Sequence, residues 1–322
     1  MRKVLLAAVL LLVLAGCYRH QRPEPELIIR LADFPELEHV RNMQGCAISG
    51  DLLFSLQDQG WCNVFDLRTS KPVSQFPLAT QGKNNHANVA FFGPDRYDSS
   101  DRFPLLYISQ CMSKPVTEIG LAETDSLSRL LFVERVITDD YGVPTGTELV
   151  QIINFEPKQW NSRLWFADVR NPDCLWCYGN TVGNEKPGNR IVMQKFDFPE
   201  FSADKFLIKL TDEDVLEETY FDALLPEGHR GPQDAILQGA FLLDGVLFLP
   251  CGVGSEKHPS EIFYARLDGS RYGWFDYTDV VPWEPEDLDI WADRLICPCN
   301  TDSAGVVYSF PYKPFLRAMI SE

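Results

Sequence analysis

A second long apolar run is missing from this 322-residue sequence. Beyond the first seventeen positions nothing matches the roughly 20 apolar residues that a membrane-spanning helix needs. Positive charge is scarce. Lys and Arg number 29 against 46 Asp and Glu, a formal net charge of −17. Such an acidic chain argues against nucleic acid and anionic lipid surfaces as partners. Histidine is scarce too, with five in all. His20 lies in a polar stretch, and His39, His229 and His258 read as loop residues, which leaves His86 alone among candidate general bases. One histidine without a placed substrate does not make an acid–base site. The chain carries no GxSxG, no HExxH, no phosphate loop and no EF-hand pattern. Nothing in the motifs thus points to the corresponding hydrolase, zincin, nucleotide-binding or calcium-loop classes, which leans against an enzyme while leaving a triad assembled from distant residues open. Long helical periodicity is also absent. One segment reads as a helix, Val215 to Leu225, capped by Thr211 and opened by the acidic Asp212-Glu213-Asp214.

The sequence opens with Arg2 and Lys3 followed by the apolar run Val4 to Leu14. That is the layout of a cleaved signal peptide. The run ends in Leu14-Ala15-Gly16-Cys17, which resembles the bacterial lipobox. The resemblance implies cleavage before Cys17, acylation of its sulfur and amine, and attachment to a membrane through lipid. Several acyl chains hold a protein far better than one, at about 0.8 kcal/mol per buried CH₂. Tyr18 is not the Asp that retains such proteins in the inner membrane, so the expected location is the cell envelope, at the outer membrane, with the leaflet left open. The domain reading is a signal peptide over 1–16, a lipidated flexible tether over 17–25, and one domain over 26–322. The last is well cored, in a chain with 45% hydrophobic and 12% aromatic residues.

Repeats organise that domain. Gln44–Phe54 (QGCAISGDLLF), Gln238–Phe248 (QGAFLLDGVLF) and Glu286–Ile296 (EDLDIWADRLI) align without gaps. Each reads as strand, tight turn and apolar strand, a hairpin signature. Trp61–Leu67 and Pro72–Leu78 extend the first into a four-strand unit, and Glu261–Leu267 with Tyr272–Tyr277 extend the second. Two looser units lie between. One is His86–Phe92, Leu105–Cys111, Arg129–Ile137 and Leu149–Phe155. The other is Arg163–Val169, Cys174–Asn180, Arg190–Phe198 and Phe206–Leu210. The final unit, ending in Gly305–Tyr312, lacks its fourth strand, and Glu26–Leu31 at the other terminus supplies it. The expected fold is an all-β propeller of five four-stranded blades closed by an N-terminal strand, with six blades the alternative.

Nine cysteines in an exported chain raise the question of disulfides. Besides Cys17 they are Cys46, Cys62, Cys111, Cys174, Cys177, Cys251, Cys297 and Cys299. Cys174 and Cys177 fall in a second-strand slot, not at a helix start as a redox CxxC does. Packing is the first reading, with disulfides and metal as alternatives. In a propeller the entries to the inner strands ring one mouth of the central channel. Here they are Gln44, His86, Asn88, Gln238, Glu286 and Asp287, with Asn84, Asn85, Gln233 and Asp234 nearby. The first six are the candidate ligand-binding set. Amides and carboxylates in this pattern suit a glycan, peptide or protein partner. Glu286, Asp287, His86 and Asn88 also carry the donor types for Ca²⁺. Trp61, Trp160, Trp274 and Trp283 are the aromatics placed for stacking on sugar.

The lipobox, the QG-x₅-LF hairpins, Asn84–Gly93 (NNHANVAFFG) and Trp283–Cys297 (WEPEDLDIWADRLIC) together resemble the uncharacterised propeller lipoproteins of Bacteroidetes. That group carries no established activity. The Glu-Pro-Glu-Asp entry of the last unit is faintly similar to the strand entries of gluconolactonase-like propellers, where a channel acid binds metal. Asp287 stands where that pattern has Gly. The expectation is therefore an anchored binding or assembly module, with a metal-dependent hydrolase or lactonase as the alternative.

Overall fold

Alternating apolar residues make strand after strand, and a computed structural model arranges the strands as five sheets in a ring, an all-β five-bladed propeller. It describes residues 22–116, 119, 127–155, 164–225 and 229–320, with side chains to Arg317 in the last helix. The expected signal peptide, Cys17, His20 and Trp160 lie outside the described residues.

Strand β1 (Glu26–Arg30) comes first. Blade one is β2 (Met43–Ser49), β3 (Leu52–Gln57), β4 (Trp61–Asp66) and β5 (Lys71–Pro77). Blade two is β6 (Ala90–Phe92), β7 (Leu106–Ser109), β8 (Leu131–Thr138) and β9 (Pro144–Phe155). Blade three starts with β10 (Leu164–Ala167), β11 (Cys174–Asn180) and β12 (Ile191–Asp197). After it come β13 (Leu207–Leu210) and β14 (Glu217–Tyr220). Blade four is β15 (Phe241–Leu243), β16 (Val246–Cys251), β17 (Glu261–Arg266) and β18 (Tyr272–Asp276). In blade five, β19 (Glu284–Pro285) and β20 (Asp289–Trp291) share the inner position before β21 (Arg294–Asn300) and β22 (Val306–Pro311). Helix α1 (Tyr312–Ile320) comes last.

The three aligned hairpins are the inner turns of blades one, four and five. Each joins its strands by two residues: Ser49 pairs with Leu52, Leu243 with Val246, and Trp291 with Arg294. In blade four both turn residues, Asp244 and Gly245, have positive φ, at 51° and 74°. That twist matches the flanking strands. The N-terminal closure holds as well. β1 lies antiparallel to β22, from Glu26↔Ser309 to Arg30↔Val306, as the outer strand of the last blade. The first and last parts of the domain are thereby joined in one sheet, and the ring has no open seam.

Two expectations for blade three are corrected. Phe206–Leu210 is not its outer strand. β13 pairs parallel with β9, from Leu207↔Ile152 to Leu210↔Phe155, as a fifth strand on blade two. The helix over Val215–Leu225 does not form either. Thr211 and Asp214 make a capping box, but it closes only a single 3₁₀ turn, Asp212–Asp214. The chain then extends as β14 along β12, from Val192↔Tyr220 to Lys195↔Glu217. The edge of β12 offers backbone groups that need partners, and strand pairing satisfies both chains at once. A helix there would leave that edge bare. The real helix is α1, which the repeat pattern does not announce. Its fully buried Phe315 packs edge-on against Phe248, Tyr264 and Phe275.

The core is divided among the junctions between blades. Phe54, Leu56 and Phe76 of blade one meet Leu106, Ile108 and Phe132 of blade two. Comparable clusters join blades two and three, three and four, four and five, and five and one. The thiols belong to this packing. Cys46, Cys62, Cys177, Cys251, Cys297 and Cys299 are fully buried among apolar neighbours. Among the described residues no disulfide forms. Cys297 and Cys299 share a face, with their sulfurs 3.9 Å apart.

The repeated Gln-Gly dipeptide also has a packing reason. A Cβ on Gly45 would stand 2.6 Å from the Ala87 carbonyl oxygen, and one on Gly239 would stand 2.5 Å from that of Glu286. Both obstacles are backbone of the next blade, so glycine is what lets adjacent inner strands approach. Gly45→Ala is expected to destabilise the fold by about 1–3 kcal/mol, the usual cost of overpacking. Urea unfolding of the variant against the parent measures it.

Candidate functional site: the entry mouth of the channel

Strand pairing defines one end of the propeller. In blade four the Gln238 amide donates to Pro250 O, Cys251 pairs with Glu261, and Glu261 pairs with Asp276. Gln238, Glu261 and Asp276 therefore lie at the same end. The inner-strand entries Gln44, Asn88, Gln238 and Glu286 belong to this end, and the hairpin turns to the other.

Three of the expected residues form a chain. Asn88 Nδ2 donates to Gln44 Oε1 at 3.1 Å, and Gln44 Nε2 donates to Glu286 Oε1 at 3.3 Å. Gln238 belongs to a second group. Its Nε2 donates to Glu284 Oε1 at 2.5 Å and to Gly252 O at 3.2 Å. Asn300 Nδ2 reaches the other Glu284 oxygen at 3.2 Å. Glu284 is absent from the candidate set, although it heads the same Glu-Pro-Glu-Asp entry. Of the candidate ligand-binding residues all but His86 are buried, and Glu286 is only 1% exposed. Its Oε2 accepts no N–H or O–H among the described residues, and the Glu284 carboxyl lies within side-chain hydrogen-bond reach of Glu286. Burial, reinforced by the neighbouring Glu284 carboxylate, pushes Glu286 well above the usual carboxylate range. When protonated, an acid flanked by amides can both donate and accept hydrogen bonds.

His86 is not part of this chain. Its Nδ1 lies 2.9 Å from Asp58 Oδ1, with both side chains partly exposed. Burial pushes Asp58 up, but the hydrogen bonds from His86 and Gln59 outweigh it and leave the carboxyl below its ordinary value. Asn84 and Asn85 hold loops, through Pro115 O and Thr80 Oγ1.

Asp287 has a structural setting. Its Oδ2 accepts from the backbone amides of Cys46 at 3.0 Å and Ala90 at 3.1 Å. One carboxyl on blade five thus ties the inner strands of blades one and two. Two residues on, and so on the same face, Asp289 Oδ2 accepts from the Ile48 amide at 2.6 Å. The inner edge of β2 has amides without a strand partner, and these acids supply acceptors. Glu134 does similar work at the crossover from blade one to two. Its carboxyl accepts from the amides of Ala79 and Thr80 and the hydroxyls of Thr80 and Thr147. The Asp-Leu-Asp alternation is the one sequence signal for Asp289, and taken alone it reads simply as strand.

These positions do not converge on a cation. Asp287 is committed to backbone amides, and His86 turns to Asp58. Among the described residues no three His, Cys, Asp or Glu side chains are placed to hold a metal ion. His86 and Asp287 are thus engaged away from Glu286 and Asn88, and the four do not form one donor set. Of the aromatics, Trp61 stacks on His39 at 3.6 Å and 16°. Trp274 is 38% exposed on the outer strand of blade four, and Trp283 packs half-buried between blades four and five.

No protein-family model matches the chain, and no curated protein matches it. Solved structures align with the chain. The tail fibre of Staphylococcus aureus phage P68 is similar at 14% identity and a TM-score of 0.53, over 94% of this chain and 56% of that one. A computationally designed protein, Ika8, aligns at 10% identity with a TM-score of 0.36, over 88% of this chain and 99% of its own. U3-55K aligns at 9% identity with a TM-score of 0.41, over 90% of this chain and 100% of its own. The likeness to the tail fibre concerns the fold alone.

Proposed function

We propose that the chain is an extracytoplasmic lipoprotein, anchored through Cys17, whose propeller is a binding or assembly module for a glycan, peptide or protein partner. The ligand engages the polar entry mouth. One observation carries the reading: polar residues at the inner-strand entries of blades one, two and five meet in one hydrogen-bonded chain, Asn88–Gln44–Glu286, at the entry end. Around the mouth, the pairing of amides with acids supplies both donors and acceptors, as recognition of hydroxyl groups requires. Supporting the anchor are the apolar run ending at Leu14 and the Leu14-Ala15-Gly16-Cys17 sequence.

The two halves of this reading have separate tests. Metabolic labelling with palmitate should mark the parent chain and leave Cys17→Ser unlabelled and released from membranes. Label on the Cys17→Ser chain would sink the anchor. The ligand is tested on a glycan array and with the partners captured by crosslinking in intact cells, comparing the parent with Glu286→Gln and Gln44→Ala. Loss of binding at least about tenfold, roughly 1.4 kcal/mol, is expected for Gln44→Ala. Ligands that bind parent and variants equally would place recognition elsewhere.

A further inference from the structure

The tether expected to be loose over 17–25 is held at its far end. Arg22 donates to Asp279 Oδ1 at 2.5 Å and to Oδ2 at 3.1 Å, a two-pronged carboxylate grip. The same guanidinium donates to Asp276 O at 2.7 Å and lies 5.3 Å above the Tyr277 ring. Only 24% of its side chain is exposed. With Glu256, Pro259, Asp276, Thr278 and Asp279 it lines a cleft of about 640 Å³. The pairing of Asp276 with Glu261 puts this clasp at the entry end of blade four, the end that carries Gln238 and Glu286.

Chain length makes that position consequential. Arg22 lies five residues beyond Cys17, and even fully extended that segment reaches at most about 18 Å. A lipid held at Cys17 therefore brings the surface around Arg22 to the headgroups. We propose that the Arg22 clasp orients the propeller on its membrane, turning the entry rim of blades four and five toward the bilayer and the hairpin turns away from it. This rests on anchoring at Cys17. The partner of the rim is a lipid surface. The polar mouth then opens toward the membrane, and its ligand is met close to the bilayer. The carboxylates Glu256, Asp276 and Asp279 crowd this rim, and where it comes within a Debye length of headgroups, about 8 Å, it favours zwitterionic over anionic lipid.

Acylated full-length protein, purified from membranes and reconstituted in phosphatidylcholine vesicles, tests the proposal by amide hydrogen exchange. In the parent, amides within 254–260 and 277–283 should exchange about threefold or more slowly on vesicles than in detergent-free solution as the soluble Cys17→Ser chain. Arg22→Ala, still acylated, should lose that protection. So should a chain lengthened by ten Gly-Ser residues between His20 and Gln21, which keeps the clasp but removes the limit on reach. Protection of the turns at 50–51, 244–245 and 292–293 instead overturns the orientation, and equal protection of the rim in both variants overturns the clasp. Mass spectrometry of the same preparations separates the other failure. An unacylated Cys17 defeats the anchoring reading itself, and the orientation falls with it.

Discussion

Asp287→Ala is expected to cost about 2–5 kcal/mol of stability, because it strips the acceptor from two buried amides, each worth roughly 1–3 kcal/mol when left unpaired. Cys46 N and Ala90 N belong to the inner strands of two different blades, and Asp287 reaches both from a third. The side chain is fully buried, so water cannot take its place without opening the centre of the ring. At roughly 2–4 °C per kcal/mol for a large domain, the melting temperature should fall by about 5–15 °C. Asp287→Asn keeps one carbonyl oxygen with the same reach and should lose less than half as much. Thermal and urea unfolding of the two variants check the order. A loss below about 1 kcal/mol in the alanine variant would show that the blades are held without this strut.

Stability should also fall as the solution is made less acidic, the reverse of a protein rich in carboxylate salt bridges. Burial raises the Asp289 carboxyl to about 7 in the folded state, from 3.8. Burial likewise pushes Asp287, Glu286 and Glu134 upward. For each of these acids the folded state holds its proton more tightly than the unfolded chain. The unfolded chain loses protons first as pH rises through about 4, and folding is progressively penalised until the folded pKa is passed. The contribution is fully present below about pH 4 and is lost between there and about 7 for Asp289, and the other three act in the same direction. At about 1.4 kcal/mol per pKa unit, Asp289 alone removes roughly 3 kcal/mol between about pH 4.5 and 8. The acids held below their ordinary values, such as Asp58, Asp66 and Asp279, act in the opposite sense. Asp66 and Asp279 lie at the surface, where solvent screens them. Urea titrations at several pH values should therefore show a decline across this window, shallower in Asp289→Asn. A flat profile, or equal slopes in parent and variant, would refute the buried-acid account.

Much of the architecture is readable in the chain. The three hairpins, the four-strand units and the missing last strand come from local alternation and turn chemistry, which act over a few residues. The closure by Glu26–Leu31 can be found because the last unit is visibly one strand short. The same logic misplaces Phe206–Leu210, because an outer strand can add to either of two neighbouring sheets, and the local pattern of Phe-Leu-Ile-Lys-Leu is identical in both cases. The acidic cap at Thr211 is real, yet the unsatisfied edge of β12 draws the next residues into a strand.

The mouth is legible by slot and not by direction. Gln44, Asn88, Gln238 and Glu286 join two hydrogen-bonded groups at one end of the ring, as their equivalent positions in the repeat imply. His86 and Asp287 sit beside such slots in the chain but turn elsewhere, toward Asp58 and toward the amides of β2 and β6. A repeat specifies where a residue enters the ring, whereas hydrogen-bond partners from other blades choose where its side chain goes.

That the chain is all-β, built from four-strand repeats, closed by Glu26–Leu31 and acidic overall follows from the residues alone, because these depend on alternation, turns and composition. That buried acids brace the blades, that glycine lets inner strands meet, and that Arg22 grips Asp279 emerges only from the assembled ring. Each of those depends on residues far apart in the chain coming into direct contact, and no local pattern encodes such a meeting.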